Sequence, residues 1–304
     1  MTKIAVTGAS GLIGSALATF LRSRGSEVVA LRRAPAGGGA EPPAPSWDPS
    51  TGALSAGALH GVEAVVHLAG ENIAGGRWTA ARKARIRDSR VVGTRHLSEA
   101  LAGLARPPQT LVAASAIGFY GDRGDEMVDE SSDPGEGFLP EVSLAWEEAA
   151  TPARDAGIRV VHLRIGIVLT PAGGALGQML LPFRMGVGGV IGTGRQYMSW
   201  VALDDVLAGI LHALENDRLT GPVNLVAPHP VTNAEFTKAL GRVLRRPAIL
   251  PMPAFGARLA FGEMADALLL ASTRVAPARL AASGFAFGYP EVEQALRHVL
   301  ERPV

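Results

Sequence analysis

The residues Thr7-Gly8-Ala9-Ser10-Gly11-Leu12-Ile13-Gly14 place three glycines at the spacing that holds a pyrophosphate. Gly8 permits a tight turn, Gly11 lets the main chain approach a phosphate, and Gly14 lets a helix pack closely on the preceding strand. With Ser10, Leu12 and Ile13 these form a candidate dinucleotide turn, because a helix N-terminus offers unpaired N–H groups and partial positive charge. Arg32 and Arg33 stand eighteen and nineteen residues after Gly14. A dinucleotide with a free ribose 2′-hydroxyl is met near that point by Asp or Glu. A carboxylate would repel a 2′-phosphate, whereas a guanidinium binds it through two parallel hydrogen bonds. Each charge-assisted bond is worth roughly 1.5–3 kcal/mol, or about one to two decades in affinity. The arginine pair therefore predicts NADP(H) over NAD(H).

Such residues need elements to hold them. Lys3 to Thr7 reads as a strand and Leu12 to Arg24 as a helix, with Leu12, Ile13, Ala16, Leu17, Phe20 and Leu21 on one side and Gly25 at its end. Strands are expected over Glu27–Leu31, Glu63–Leu68, Thr110–Ala114 and Arg159–Leu163, and helices over Thr79–Ala105 and Glu141–Ala156. Ala34 to Ala58 reads as a loop with a short strand near Trp47. This alternation predicts an α/β fold, a Rossmann-type doubly wound parallel sheet with helices on both faces and right-handed crossovers. The apolar run Ala64-Val65-Val66-His67-Leu68 suits a strand buried on both faces, and His67 reads as a core histidine.

After Gly166 glycine becomes dense. A helix over Leu203–Glu215, a strand over Pro222–Val226 and a helix over Thr232–Leu244, capped by Thr232 or Asn233, follow. Trp200 reads as core, with Asp204 and Asp205 capping the helix behind it. The expected organisation is an NADP(H)-binding domain over residues 1–165 and a smaller C-terminal α+β lobe over residues 166–304, with segments returning to the sheet domain.

Composition narrows the function classes. The 304 residues carry 29 Lys+Arg against 28 Asp+Glu, a formal charge of +1, and 47% are hydrophobic. That supports a full core and argues against a disordered chain. The near-neutral balance argues against a nucleic-acid partner or a polybasic membrane protein. The basic stretch Arg77 to Arg87 reads as a solvated helix face, or as a means of drawing an anionic substrate to the cleft. The absence of cysteine removes disulfides, thiol nucleophiles and cysteine-based metal sites. The histidines do not cluster, so no metal is expected. The uncharged stretch Ile165–Phe183 up to Arg184 is broken by glycines and prolines and reads as no membrane span. The N-terminus lacks the pattern of a secretory signal, and a cytoplasmic location is expected.

Further motifs join the glycine turn: Val66-His67-Leu68-Ala69-Gly70, Gly70-Glu71-Asn72-Ile73, Arg77-Trp78, Ser89-Arg90 and Ala114-Ser115-Ala116-Ile117-Gly118-Phe119-Tyr120-Gly121. Met179-Leu180-Leu181-Pro182-Phe183 and Ser199-Trp200-Val201, followed by Asp204-Asp205, complete the set. Together they resemble the extended short-chain dehydrogenase/reductase superfamily and, more narrowly, its atypical NAD-dependent epimerase/dehydratase-like "epimerase family". The resemblance runs through nearly the whole chain. It implies that Leu68, Ala69 and Gly70 line the ribose and phosphate side of the cofactor and that Arg90 adds a contact. It also implies that Asp48 lies near the adenine, and that the chain is a homodimer, through its two long helices, or a monomer.

The departure from that resemblance concerns catalysis. The superfamily uses Tyr-x-x-x-Lys with a Ser or Thr. Aligning on Trp146-Glu147 puts Leu139 at the Tyr position and Ser143 at the Lys position, and none of Tyr120, Tyr197 and Tyr289 has Lys four residues later. The Ser/Thr position falls on Ser115 or Ala116. Hydride transfer to a carbonyl still needs a proton donor. Ser115, Glu71 and Tyr120 are the candidates, with Lys83 behind them. Glu71 follows a strand end, where functional side chains of open α/β sheets collect. Each also has a structural reading: Ser115 as a turn hydrogen bond, Glu71 as a partner of main-chain amides or of Arg77 or Arg90, and Tyr120 as packing. The expected function is an NADP(H)-binding oxidoreductase or epimerase-like protein acting on a small carbonyl or sugar-nucleotide-like molecule. The alternative is a non-catalytic NADP(H)-binding sensor or scaffold, and a third reading is a redox-neutral epimerase or dehydratase.

Overall fold

The computed structural model describes residues 2–33, 45–55 and 57–301. Seven strands form one sheet: β1 (Lys3–Thr7), β2 (Glu27–Arg33), β3 (Ser46–Trp47), β4 (Ala64–His67), β5 (Thr110–Ala116), β6 (Arg159–Ile165) and β7 (Gly221–Leu225). Their order is β7-β6-β5-β4-β1-β2-β3, and every adjacent pair is parallel. The chain runs outward from β1 to β3 and then restarts at β4 on the other side of β1. That reversal leaves a crevice at the carboxyl ends of β1 and β4, where ligands of such sheets bind.

The apolar pattern explains the layers. On one face Ile4, Val6, Leu17, Leu21, Val66 and Leu163 share a core. On the other, Ala5, Leu31, Val65, Leu97, Leu101 and Leu111 form a second. Helix α1 (Leu12–Ser23) supplies Leu17 and Leu21, and α2 (Ala80–Ala102), capped by the Thr79 hydroxyl, supplies Leu97 and Leu101. Alternate strand residues thus serve opposite faces, which is why the strands read as continuous apolar runs.

The helix expected over Glu141–Ala156 is two helices, α3 (Phe138–Glu148) and α4 (Thr151–Asp155). Pro152 lies at the start of α4. It has no N–H to continue the ladder of α3, whereas it is well suited to a first turn.

In the C-terminal part a third core gathers Leu169, Leu176, Trp200, Phe236, Leu240 and Leu296. It lies among α5 (Gly174–Arg184), α7 (Asn233–Leu244) and a last helix over Val292–Glu301, whereas α6 (Leu203–Glu215) packs Val206, Leu207 and Ile210 into the first core. Residues 221–225 rejoin the main sheet beside β6. Thr232 caps α7 in a reciprocal box with Glu235. Asp204 and Asp205, expected as caps, lie inside the first turn of α6, whose N-cap is Ala202. Asp205 instead accepts hydrogen bonds from the main-chain N–H of Gly288 and Tyr289 at 2.7 and 3.0 Å, tying the C-terminal segment to α6.

Candidate functional site

The turn between β1 and α1 is built for close approach. Gly8 has φ of 66°, and a Cβ there would stand 2.8 Å from the Leu68 carbonyl carbon and 2.9 Å from the Ala69 nitrogen. A Cβ on Gly14 would collide with the Gly8 carbonyl oxygen. Any side chain at either position would push α1 away from the strand ends. Gly11 is the N-cap and makes no side-chain cap bond, and the first turn contains no acidic residue. The early N–H groups of α1 are therefore left for an anion. Ser10 and Gly11 are exposed, while Leu12 and Ile13 are half-buried.

Arg32 and Arg33 end β2, both exposed, and neither pairs with a carboxylate among the described residues. The residues present thus fit a dinucleotide carrying a 2′-phosphate: a main-chain cradle that only glycine permits, and two cations at the end of the neighbouring strand. Asp48 is otherwise engaged. Its Oδ1 accepts from the Ser50 N–H at 2.8 Å and the Ser50 hydroxyl at 2.6 Å, which holds its carboxyl below the ordinary range.

Leu68, Ala69 and Gly70 leave β4 beside this turn, the first two half-buried. Leu68 N–H donates to both the main-chain carbonyl and the hydroxyl of Thr7, at 3.3 and 3.2 Å. Beneath them lies a buried polar chain. His67 Nδ1 is 2.7 Å from the Thr7 hydroxyl and Nε2 is 3.0 Å from the Thr94 hydroxyl. Trp146 Nε1 donates to the same Thr94 hydroxyl at 2.9 Å. Burial lowers the His67 pKa to about 4, so the ring is neutral and links the end of β1 to α2.

Arg90 braces the loop from below. Its Nη1 donates to the carbonyls of Glu71 and Ile86 at 3.0 and 3.1 Å, and its guanidinium lies 5.0 Å from the Trp146 ring centroid. Burial lowers its pKa to about 10 against the opposing effect of Glu71. Glu71 N–H donates to the Ser89 hydroxyl at 3.0 Å. Its carboxylate is 3.8 Å from the Arg82 guanidinium and its side chain is 37% exposed. Its ionic partner is Arg82, rather than Arg77 or Arg90, while Arg90 holds its carbonyl.

Ser115 and Tyr120 face away from solvent into one network. The Ser115 hydroxyl donates to Glu147 Oε1 at 2.7 Å. Arg164 holds both oxygens of that carboxylate, each at 2.8 Å, and donates from Nη1 to the Tyr120 oxygen at 3.0 Å. The Tyr120 hydroxyl in turn donates to Asn224 Oδ1 at 2.7 Å. Burial pushes the Tyr120 phenol up, partly offset by Arg164. Burial opposes the charge on Arg164, but Glu147 outweighs it and holds the guanidinium above its ordinary value. The turn after β5 packs against α3. A Cβ on Gly118 would lie 3.4 Å from Leu139 Cβ and 3.9 Å from the Ser143 hydroxyl. Leu139 and Ser143 therefore flank the turn that follows β5. Nearby, Trp78 and Phe138 meet edge to face at 5.2 Å, and Lys83 ion-pairs with Glu263 at 2.7 Å.

Glu147, Arg164, Asn224 and Thr94 were not singled out by the sequence reading. Arg164 carried a signal, an arginine inside the apolar run Val160-Val161-His162-Leu163-Arg164-Ile165. A charge in a strand covered on both faces must be paired.

A family model described as "NAD dependent epimerase/dehydratase family" matches residues 4–226, and a domain of unknown function matches residues 252–299. The chain is 45% identical to the epimerase family protein Mb2239 of Mycobacterium bovis, over 99% of this chain and 98% of that one. It superposes on the crystal structure of the human epimerase family protein SDR39U1 with NADPH with a TM-score of 0.91, at 35% identity, covering 99% of this chain and all of that one. A nucleoside-diphosphate sugar epimerase from Corynebacterium glutamicum matches with a TM-score of 0.79 at 37% identity, covering 98% of this chain and 58% of that one.

Proposed function

The chain belongs to the NAD-dependent epimerase/dehydratase family, and from that membership we propose that it binds NADP(H) across the carboxyl ends of β1 and β4. We infer an oxidoreductase or epimerase-like activity on a small carbonyl or sugar-nucleotide-like substrate, without a Tyr-x-x-x-Lys relay. The observation that carries the reading is the cradle in which Gly14 abuts the Gly8 carbonyl and Gly8 abuts Leu68 and Ala69. The human relative crystallised with NADPH supports the choice of cofactor, and the Corynebacterium relative supports the substrate class.

In this reading the N–H groups of Leu12, Ile13 and Gly14, with Ser10 and Gly11, meet the pyrophosphate, and Arg32 and Arg33 meet the 2′-phosphate. Leu68, Ala69 and Gly70 flank the ribose, and Arg90 holds their loop in place through the Glu71 carbonyl. The bound cofactor supplies or accepts the hydride. Among Ser115, Glu71 and Tyr120, Glu71 alone has a side chain open to solvent, and it is the group we assign to move a proton.

A second reading is a non-catalytic NADP(H) sensor. It is favoured by Leu139 and Ser143 standing where the superfamily places its relay, and by the enclosure of Ser115 and Tyr120. Calorimetric titration with NADPH, NADP, NADH and NAD tests the shared premise. Wild type should prefer NADPH, and Arg32→Asp should lose about one to two decades of that preference. Equal affinity of wild type for NADPH and NADH would overturn the cofactor assignment. Incubation with a carbonyl and sugar-nucleotide panel then separates the readings. Turnover that falls in Glu71→Gln supports the enzyme, and tight binding without turnover supports the sensor.

A further inference from the structure

Eleven large apolar side chains stand exposed among the described residues, and eight of them fall within 181–187 and 249–259. Leu181, Met185, Ile249, Phe255 and Leu259 are each 65–75% exposed. The two segments lie side by side. Met252 N–H donates to the Val190 carbonyl at 2.8 Å, and Gly192 N–H donates to the Met252 carbonyl at 2.9 Å. A Cβ on Gly186 would lie 3.7 Å from the Pro247 ring. Leu181 and Met185 are four residues apart at the end of α5. Phe255 and Leu259 have the same spacing on the helix over Ala254–Phe261, whose Ala257 is buried beneath them. Monomeric proteins seldom expose so much apolar surface in one place without using it.

The charge of this surface is as uneven as its polarity. Residues 181–187 and 245–259 contain Arg184, Arg245, Arg246 and Arg258 and no carboxylate. Arg258 pairs with Asp266, while Arg184, Arg245 and Arg246 form no ion pair among the described residues. Lys238 and Arg242, the latter paired with Glu293, line the adjoining groove with Arg245 and Arg246. The net charge of +1 conceals this local excess. A second copy related by a two-fold axis would set two such patches together, each with arginines and no carboxylate in these segments to pair them, which is unfavourable. An anionic lipid surface would meet both halves of the pattern: apolar side chains enter the headgroup boundary, and arginines pair with phosphate.

We propose that this face docks the protein peripherally on anionic phospholipid, through Phe255, Leu259, Ile249 and Met185 with Arg184, Arg245 and Arg246. No helix of the described residues is long and apolar enough to cross a membrane, so the docking is of a folded surface. The test is co-sedimentation of the full chain with vesicles of phosphatidylcholine alone or mixed with phosphatidylglycerol, at low and high salt. Binding should require phosphatidylglycerol and weaken with salt. It should fall at least about tenfold in Arg245→Gln/Arg246→Gln and in Phe255→Ser/Leu259→Ser. Both variants alter exposed side chains, and thermal melting should show them folded like wild type. Absence of binding to either vesicle, or binding indifferent to lipid charge, would overturn the proposal. So would light scattering that shows a dimer dissociated by Phe255→Ser/Leu259→Ser, since the face would then be a self-interface.

Discussion

His67 is a neutral ring sealed between two hydroxyls, and its environment has a consequence for stability. The folded state holds its pKa near 4 by burial, while an unfolded histidine titrates near 6.5. Above pH 6.5 the ring is neutral in both states. As pH falls toward 4 the unfolded chain gains a proton that the folded chain refuses, so stability is lost across that window. The shift corresponds to roughly 3 kcal/mol over the window. Urea unfolding of wild type and His67→Gln at neutral and mildly acidic pH should show this increment in wild type and its absence in the variant. Parallel pH profiles for the two proteins would sink the argument. At this scale the glycine turn and the arginine pair were legible because their chemistry is local in sequence. The settings of Ser115 and Tyr120 were not, because their partners Glu147 and Asn224 lie 32 and 104 residues away.

Elements were legible where one pattern decided them. β1, α1 and the start of α7 follow from apolar period and punctuation. The break between α3 and α4 was missed, although Pro152 was in view, because the apolar spacing continues across it while the hydrogen-bond ladder does not. Asp204 and Asp205 looked like caps by position. Asp205 is drawn instead to two main-chain donors of a segment more than eighty residues on, a contact that only the folded chain creates. Thr232 is the contrasting case, since its partner Glu235 sits three residues away and both bonds of the box form. Thr232→Ala should therefore cost about 1 kcal/mol. Chemical denaturation would read this as a lower midpoint with unchanged slope. The variant should leave dinucleotide affinity unchanged, because α7 lies in the C-terminal core, away from the glycine turn.

Across the whole molecule, the buried pair Arg164–Glu147 joins parts that distant stretches of chain supply. Arg164 comes from β6, Glu147 from α3, Ser115 from β5 and Tyr120 from the turn after it. Through Tyr120 the network reaches Asn224 on β7, whose side-chain amide donates to the Ala276 carbonyl at 2.9 Å. The Asn224 N–H donates to Glu130, which also receives the Arg279 N–H. The sheet is thus tied to the C-terminal segment through groups that are buried or half-buried. Arg164 and Glu147 side chains are only 4% and 12% exposed, so neither charge can be rehydrated if its partner is lost. Arg164→Met should cost about 3–5 kcal/mol, because Glu147 is left as an uncompensated buried carboxylate. Arg164→Met/Glu147→Met should cost less than that single change, since both desolvation penalties vanish together. Tyr120 and Ser115 would still lose partners, so the double variant should remain below wild type. Urea midpoints of the three proteins measure the ordering directly. A double variant less stable than Arg164→Met would mean that the pair stabilises by packing and hydrogen bonding rather than by mutual neutralisation.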